Sequence, residues 1–392
     1  MKVSLITDAW APQVNGVVYT LSHTRDEMIR MGHEVQVIEP SQFLSMPVPF
    51  EHGLRLGAAS AGAVGRQLVR FAPQAVHIAT EGPLGWAARR ACQQLGFRYT
   101  TAWHTNFPAY LETRYGVPER WSWPALRRFH QDSLTVMAPT NGIADELRAH
   151  GIGAVKVWGR GVDAHQFSPG RSWRFAGLPR PIFLSVGRVA NEKNLEAFLS
   201  LDLPGSKVVV GGGPALARLS RQFPQAHFAG RVDHQELASV YRAADVFVFP
   251  SQTDTFGLVM LEAMACGVPV AALPHAAPNE VVANGVAGVV DADLRKACLE
   301  ALQLDAMAVR EHAGNFAWQK ATERFVSLLA VPAIKLREQL RPASPASHGA
   351  ASGSVNNPVS AYQASCLSSR ASSWPARPSA FSSSSSASAR TD

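Results

Sequence analysis

Two acidic residues beside a helix of small side chains are the part of this sequence best suited to chemistry. Asp254 and Glu262 stand eight positions apart, between the apolar run Val246–Pro250 and the end of a helical stretch from Gly257 to Cys266. This order predicts a buried strand, a polar loop and a helix whose first turn presents unpaired backbone N–H groups. Those groups and the helix dipole favour a sugar or phosphate oxygen at the end of the strand. A carboxylate such as that of Glu262 accepts two hydrogen bonds, which suits the paired hydroxyls of a ribose.

A second group of residues could bind a diphosphate. Arg188 and Lys193 lie in a short segment between a strand predicted to end at Gly187 and a helix predicted to begin near Asn194. Arginine offers a planar fork of donors and lysine a mobile ammonium. Two cations beside one strand end can neutralise a diphosphate leaving group. Taken alone, the cluster fits an ordinary charged loop better than a site.

Two further segments end predicted strands. The first strand ends in a loop that contains Asn15 and Gly16, where glycine permits close approach of the backbone to a ligand. The loop lacks the Gly-x-Gly-x-x-Gly spacing of dinucleotide enzymes. His104 ends another predicted strand, so its imidazole could reach the same region. A plain turn and a structural histidine are the alternative interpretations.

Apolar runs alternate with helical stretches along most of the chain, which predicts parallel, doubly wound α/β sheets with helices on both faces. Twelve strands in one sheet would be unusual, so we expect two similar Rossmann-like domains. A Pro- and Gly-rich segment, Phe167–Pro181, reads as the linker between them. Ligands bind at the carboxyl ends of strands in such sheets, and two sheets facing each other form a cleft. The runs are Val3–Thr7, Val35–Glu39, Ala75–Ala79, Tyr99–His104, Thr135–Pro139, Val155–Trp158, Ile182–Val186, Val208–Gly211, His227–Ala229, Val246–Pro250, Val268–Leu273 and Gly288–Val290.

Composition restricts the setting of the protein. The net charge of +7 is too small and too scattered to indicate nucleic-acid binding, although it fits anionic ligands or an anionic membrane surface. The four cysteines have no paired or metal-ligand spacing, and no signal peptide is visible. We therefore expect a protein of the cytoplasm, or of the inner face of the membrane.

The segment from Pro250 to Val270 resembles the donor-binding signature of retaining glycosyltransferases of family four, which have two carboxylates at this spacing and a similar Glu-Ala-Met-Ala-x-Gly run. The resemblance covers about residues 1–330 and implies a GT-B fold. Its implied domains are residues 1–170 on the acceptor side, residues 171–308 for the nucleotide sugar, and residues 309–330 as a helix that crosses back. The Ser- and Ala-rich residues 331–392 depart from the family and are expected to be a disordered tail.

The resemblance also implies a role for each candidate residue. Glu262 would bind the nucleotide ribose, Asp254 and His104 the donor sugar, and Arg188 with Lys193 the pyrophosphate. Asp254 stands where most of the family has Glu, in the Thr-Asp-Thr-Phe-Gly form of a subgroup that acts on mannose or sulfoquinovose. The implied catalytic residues are His104, Arg188, Lys193 and Asp254. The implied donor-binding residues are Asn15, Gly16, Arg188, Lys193, Val232, Asp254, Phe256, Gly257, Leu258 and Glu262.

The function that follows from the resemblance is transfer of a hexose, foremost mannose from GDP-mannose, to a hydroxyl of a lipid or glycan acceptor. No metal and no other cofactor is expected, because GT-B enzymes generally need none. The alternatives are a sulfoquinovosyl- or glucosyltransferase that uses a UDP-sugar, and a nucleotide-sugar-binding protein without catalysis. The segment Pro274–Pro278 departs from the glycine-rich form common in the family. Residues 120–130 mix basic and aromatic side chains, which suits either peripheral contact with an anionic membrane or a buried helix start.

Overall fold

All twelve apolar runs predicted to be strands form strands in the computed structural model, which describes residues 1–43, 45–47, 55–57 and 59–329. Most differ from the predicted limits by one or two residues at an end. The strands are β1 (Lys2–Ile6), β2 (Glu34–Ile38), β3 (Ser45–Pro47), β4 (Arg55–Gly57), β5 (Ala75–Ile78), β6 (Tyr99–Ala102), β7 (Val136–Ala138), β8 (Val155–Val157), β9 (Ile182–Val186), β10 (Ser206–Val210), β11 (His227–Gly230), β12 (Val246–Phe249), β13 (Val270–Ala272) and β14 (Gly288–Val290).

Helices connect most of these strands, as a doubly wound architecture requires. They are α1 (Gly16–Arg30), α2 (Ala61–Phe71), α3 (Pro83–Leu95), α4 (Phe107–Tyr115), α5 (Glu119–His130), α6 (Asn141–Ala149), α7 (Leu195–Leu199), α8 (Leu216–Gln222), α9 (Leu237–Tyr241), α10 (Leu258–Ala265), α11 (Ala276–Val281), α12 (Leu294–Ala301), α13 (Ala306–Ala313) and α14 (Trp318–Leu329).

The strands form two parallel six-stranded sheets with related topologies. The first has the order β2-β1-β5-β6-β7-β8, and the second has the order β11-β10-β9-β12-β13-β14. In each sheet the chain reverses its direction of growth once, between β1 and β5 and between β9 and β12. Such a reversal opens a crevice at the carboxyl ends of the two strands, where ligands of α/β proteins bind. The two-sheet α/β architecture predicted from the sequence is confirmed.

The second sheet is covered on both faces, which explains why its strands are continuous apolar runs. Along β9, Ile182 and Leu184 pack into one hydrophobic cluster, whereas Phe183 between them packs into the cluster on the opposite face. Every residue of β12 is buried. The loops at the ends of β9 and β12 therefore extend from a rigid base.

A short antiparallel hairpin, β3 with β4, was not predicted. Each of its strands has three residues, which is too short for alternation of side chains to be recognised in a sequence.

The stretch predicted to be one helix that crosses back is divided into two helices, α13 and α14, on either side of Gly314 and Asn315. Only α14 packs against the first sheet. Its Phe325 is fully buried there, and the Trp158 indole donates a hydrogen bond to the Ala321 carbonyl oxygen at 3.1 Å. The domain limits themselves stay predictions, and the predicted tail, residues 331–392, lies outside the described residues.

Candidate functional site

The carboxyl ends of the two sheets meet, and most of the predicted site residues lie at this junction. Thr255, in the loop after β12, donates a hydrogen bond from Oγ1 to the carbonyl oxygen of His104, after β6, at 2.7 Å. Nearby, a Cβ placed on Gly16 would lie 3.8 Å from Cδ1 of Leu258. Residues that are 151 and 242 positions apart in the chain are thereby brought close together.

Lys193 and Asp254 form an ion pair within this region. The Lys193 ammonium lies 2.5 Å from Asp254 Oδ1, and both side chains are about three-quarters buried, at 27% and 23% exposed. Burial alone would raise the pKa of the Asp254 carboxyl, but the charge and hydrogen bond of Lys193 outweigh it and the pKa lies below its ordinary value. Asp254 is therefore a charged carboxylate at neutral pH.

The second oxygen of Asp254 and one nitrogen of His104 are unusual for buried polar atoms. Within the described residues, neither Asp254 Oδ2 nor His104 Nε2 has a hydrogen-bond partner. Burial, and after it the charge of Arg160, lower the pKa of His104 well below its ordinary value, so the imidazole is neutral. A buried polar atom without a partner is costly, and its presence in two residues joined through Thr255 indicates a polar ligand.

Glu262 is buried on α10 and already held by side chains of the second half. The hydroxyl of Tyr241 donates to Glu262 Oε2 at 2.7 Å, and His234 Nε2 lies 3.7 Å from Oε1. Burial and the Glu262 carboxylate hold the pKa of Tyr241 well above its ordinary value, so its hydroxyl stays a donor. Tyr241 was not predicted from the sequence, because nothing in an apolar helix end marks a tyrosine as the partner of a distant acid.

Two glycines bring the loop of Arg188 against a neighbouring loop. Gly211, at φ 142°, follows β10, and a Cβ there would lie 1.8 Å from the carbonyl oxygen of Gly187. The Val189 N–H donates to the Gly212 carbonyl at 3.0 Å, which continues the contact. Arg188 is half-buried between these residues, at the edge where the second sheet changes direction. Arg188 therefore lies just after the end of β9, and its role in binding a diphosphate stays a prediction.

The other candidate residues lie at the starts of helices or in the core of the second half. The Asn15 side chain accepts hydrogen bonds from Val17 N and Val18 N at 3.0 Å each and so caps α1. Phe256 is buried, and Gly257, at φ 76°, precedes α10, whose first turn has no side-chain cap. Val232 packs against the core of the second half, two positions before His234.

The basic and aromatic segment at residues 120–130 is partly buried and partly exposed to solvent, and its contact with a membrane stays a prediction. It lies on α5, where Trp123 is buried and stacks on Trp103 with ring centroids 5.5 Å apart. Trp121 on the same helix is 66% exposed, and Arg127 and Arg128 are also exposed. One face of α5 therefore belongs to the core and another faces solvent.

The described residues hold neither a candidate metal site nor a candidate membrane span. They contain no group of three or more His, Cys, Asp or Glu side chains that could hold a metal ion. Among the helices described, none has both the length and the apolar character needed to cross a membrane.

Comparison with known proteins identifies the class. Residues 14–166 match the model of "Glycosyltransferase Family 4", and residues 180–304 match that of "Glycosyl transferases group 1". A GDP-mannose-dependent alpha-mannosyltransferase of Mycolicibacterium smegmatis is 32% identical over 343 residues, which cover 80% of this chain and 91% of that protein. The sulfoquinovosyl transferase SQD2 of Arabidopsis thaliana is 31% identical over 274 residues, or 62% of this chain and 53% of that protein.

The fold agrees with that of a solved structure. Sucrose-phosphate synthase from Thermosynechococcus elongatus superimposes with a TM-score of 0.71 at 21% identity, covering 83% of this chain and 98% of that chain. The protein is thus a hexosyltransferase of the GT-B fold. It belongs to the group 1, family 4 glycosyltransferases, as the sequence resemblance implied.

Proposed function

We propose that this enzyme transfers mannose from GDP-mannose, with retention of configuration, to a hydroxyl of a lipid or glycan acceptor. The observation that carries the proposal is the pair of buried atoms without partners, His104 Nε2 and Asp254 Oδ2. One can donate and the other can accept, as recognition of sugar hydroxyls requires. The similarity to the mannosyltransferase of Mycolicibacterium smegmatis and the Thr-Asp-Thr-Phe-Gly sequence support mannose as the sugar.

The nucleotide would bind to the second half. Glu262 accepts hydrogen bonds from the ribose hydroxyls through Oε1, because Tyr241 already occupies Oε2. Val232, in the loop after β11, frames the base. The carboxylate is nearly buried, at 6% side-chain exposure, so a ribose bond there is formed with little competition from water.

The diphosphate would lie between the ends of β9 and β12. Lys193 has three N–H donors, so it can hold Asp254 and still donate to a phosphate oxygen. Arg188 adds a second positive charge, and the backbone N–H groups of Gly257 and Leu258 add neutral donors. These groups stabilise negative charge as the sugar–phosphate bond breaks.

Transfer would follow front-face attack. The C1–O bond to the phosphate breaks, the acceptor oxygen bonds to C1 on the same face, and its proton passes to a phosphate oxygen of the leaving diphosphate. Asp254 is poorly suited to act as a nucleophile, because Lys193 holds its Oδ1 in an ion pair. Contact between the two halves at Thr255 and His104 excludes water and limits hydrolysis of the donor.

Sulfoquinovosyl transfer from a UDP-sugar is the second candidate. It is favoured by the similarity to SQD2 and by the same Thr-Asp-Thr-Phe-Gly sequence. The exposed Trp121, Arg127 and Arg128 of α5 support a lipid acceptor at an anionic membrane surface for either sugar.

The test is transfer from a panel of labelled nucleotide sugars, including GDP-mannose, UDP-glucose and UDP-sulfoquinovose, to extracted bacterial membrane lipids and to a soluble glycan panel. The proposal expects label from GDP-mannose in product, and none with Glu262→Ala. Exposed Glu34→Ala serves as the control variant. If UDP-sulfoquinovose were the only donor to give product, mannosyl transfer would be wrong and sulfoquinovosyl transfer would take its place as the function. Saturable donor binding without transfer to any acceptor would indicate a binding protein.

A further inference from the structure

Arg160 is a buried cation that the proposed mechanism does not use. It follows β8 and is 5% exposed. No acidic side chain among the described residues pairs with it. Its Nη1 donates to the carbonyl oxygens of Trp158 and Gly159 at 2.6 and 3.2 Å. Burial lowers the pKa of the guanidinium to about 9, so it is still charged at neutral pH. Burying an unpaired charge is costly, so this one calls for a specific role.

The other nitrogen of the guanidinium, Nη2, contacts the candidate site. Arg160 Nη2 lies 3.3 Å from Nδ1 of His104. A guanidinium has only N–H donors, so Nδ1 must accept the hydrogen bond and carry no proton. In a neutral imidazole the proton then resides on Nε2, the nitrogen that is buried without a partner among the described residues.

Arg160 is itself held in place from the far side. Its guanidinium lies over the Trp158 ring, 4.2 Å from the centroid. Trp158 donates to the Ala321 carbonyl and packs against Phe325 with ring centroids 4.6 Å apart. Both of these partners lie on α14, which therefore supports the ring on which Arg160 rests.

The backbone of the same segment is also fixed. A Cβ on Gly161 would lie 2.6 Å from the backbone of Trp318, and Val162 N donates to the Phe316 carbonyl oxygen at 2.8 Å. The guanidinium consequently has little freedom to move away from His104.

We propose that Arg160 is a positioning residue that holds His104 in the Nε2–H tautomer, so that the imidazole donates a hydrogen bond to a hydroxyl oxygen of the donor sugar. The contact with the sugar rests on the proposed function, whereas the tautomer does not. Through Trp158, α14 contributes to the site without touching the donor.

The tautomer can be measured in the full-length enzyme without any substrate. Long-range ¹H–¹⁵N correlation spectra of protein labelled at histidine distinguish protonated from unprotonated ring nitrogens, and His104→Gln assigns the signal. We expect Nε2 to be protonated and Nδ1 unprotonated at neutral pH. A proton on Nδ1 in the wild-type enzyme would overturn the proposal without the need for a variant at Arg160.

Two variants test whether Arg160 is the cause. Arg160→Met keeps an unbranched apolar stem and removes the donors, so we expect mixed tautomers and a fall in kcat of about tenfold, the value of one hydrogen bond. Arg160→Lys keeps a donor, so it should restore part of the Nε2–H tautomer of His104 and part of the kcat. His77 is the internal control, because its Nδ1 lies 2.9 Å from Thr100 Oγ1 and its tautomer should not change. A folded Arg160→Met enzyme with an unchanged His104 tautomer would overturn the proposal.

Kinetics of His104→Gln separate the two claims. If this variant keeps the kcat and donor KM of the wild type while the Nε2–H tautomer is observed, the contact with the sugar is wrong and the tautomer assignment stands. Exposed Arg66→Met is the control for loss of an arginine elsewhere.

Discussion

Lys193 and Asp254, 61 positions apart, form an ion pair that joins the loops after β9 and β12. The pair connects the residue expected to neutralise the diphosphate with the residue expected to bind the sugar. Lys193→Met should lower kcat by about 10²-fold, the usual effect of removing a donor that stabilises charge in the transition state. Steady-state kinetics with the donor that the nucleotide-sugar panel selects would measure this decrease.

The control for this change is Lys296→Met, which breaks an exposed ion pair with Asp291 that includes none of the proposed site residues. It should leave kcat unchanged. If Lys193→Met were as active as Lys296→Met, Lys193 would have no part in the reaction.

Tyr241→Phe should weaken donor binding. The change leaves Glu262 Oε2 buried without the hydrogen bond that Tyr241 donates, and a bond to a charged acceptor contributes about 1.5–3 kcal/mol. We expect the donor Kd, measured by calorimetry, to rise about 10- to 100-fold. Glu262→Ala should have a larger effect, and exposed Tyr115→Phe none. Equal donor affinity in Tyr241→Phe and the wild type would argue against binding of the ribose by Glu262.

Thr255→Val should loosen the contact between the two halves. Its Oγ1 bond to the His104 carbonyl is lost, whereas the shape of the side chain is kept. Water should then compete better with the acceptor, so we expect the ratio of donor hydrolysis to transfer to increase. Thr253→Val is the matched control, because Thr253 Oγ1 bonds Glu192 within the second half. The same ratio in both variants would argue against closure through Thr255.

His77 predicts a pH dependence of stability. Burial and the charge of Arg160 lower its pKa to about 3, whereas the unfolded chain takes up this proton near pH ~6.5. The folded state holds the neutral form, so its contribution to stability is complete above pH ~6.5 and is lost as the pH falls toward about 3. His77→Leu should therefore show a shallower loss of the free energy of unfolding between about pH 6.5 and 4.

Urea unfolding at several pH values measures this difference. Exposed His165→Leu should follow the wild-type curve. Parallel curves for His77→Leu and the wild type would mean that buried His77 makes no contribution of this kind.

Gly211→Ala should destabilise the second half. The new Cβ would lie 1.8 Å from the Gly187 carbonyl oxygen, which is a steric clash. The φ of 142° at this position is also unfavourable for a residue with a side chain. We expect a loss of about 3 kcal/mol or more in thermal or urea unfolding. Gly177→Ala is the control, because nothing lies within 4 Å of its Cβ position. Equal stabilities would contradict the close approach of the two loops.

Much of the fold follows from local sequence. The run Val246–Pro250 is apolar throughout, and Ile182–Val186 is apolar except for Ser185, because both faces of the second sheet are covered. The alternation of such runs with helices leaves a doubly wound architecture as the simplest solution. The hairpin of β3 and β4 and the break between α13 and α14 were not predicted. Three-residue strands carry too little pattern, and one Gly-Asn step does not reveal whether a helix continues.

By itself, the sequence determined the two-sheet fold, the family and the strand ends where Arg188, Asp254 and His104 lie. Those features depend on residues close together in the chain. The ion pair of Lys193 with Asp254, the bond of Tyr241 to Glu262 and the contact of Arg160 with His104 were decided only by the tertiary structure. Each joins side chains from different elements, and which of many polar groups become neighbours depends on how the two sheets and α14 pack.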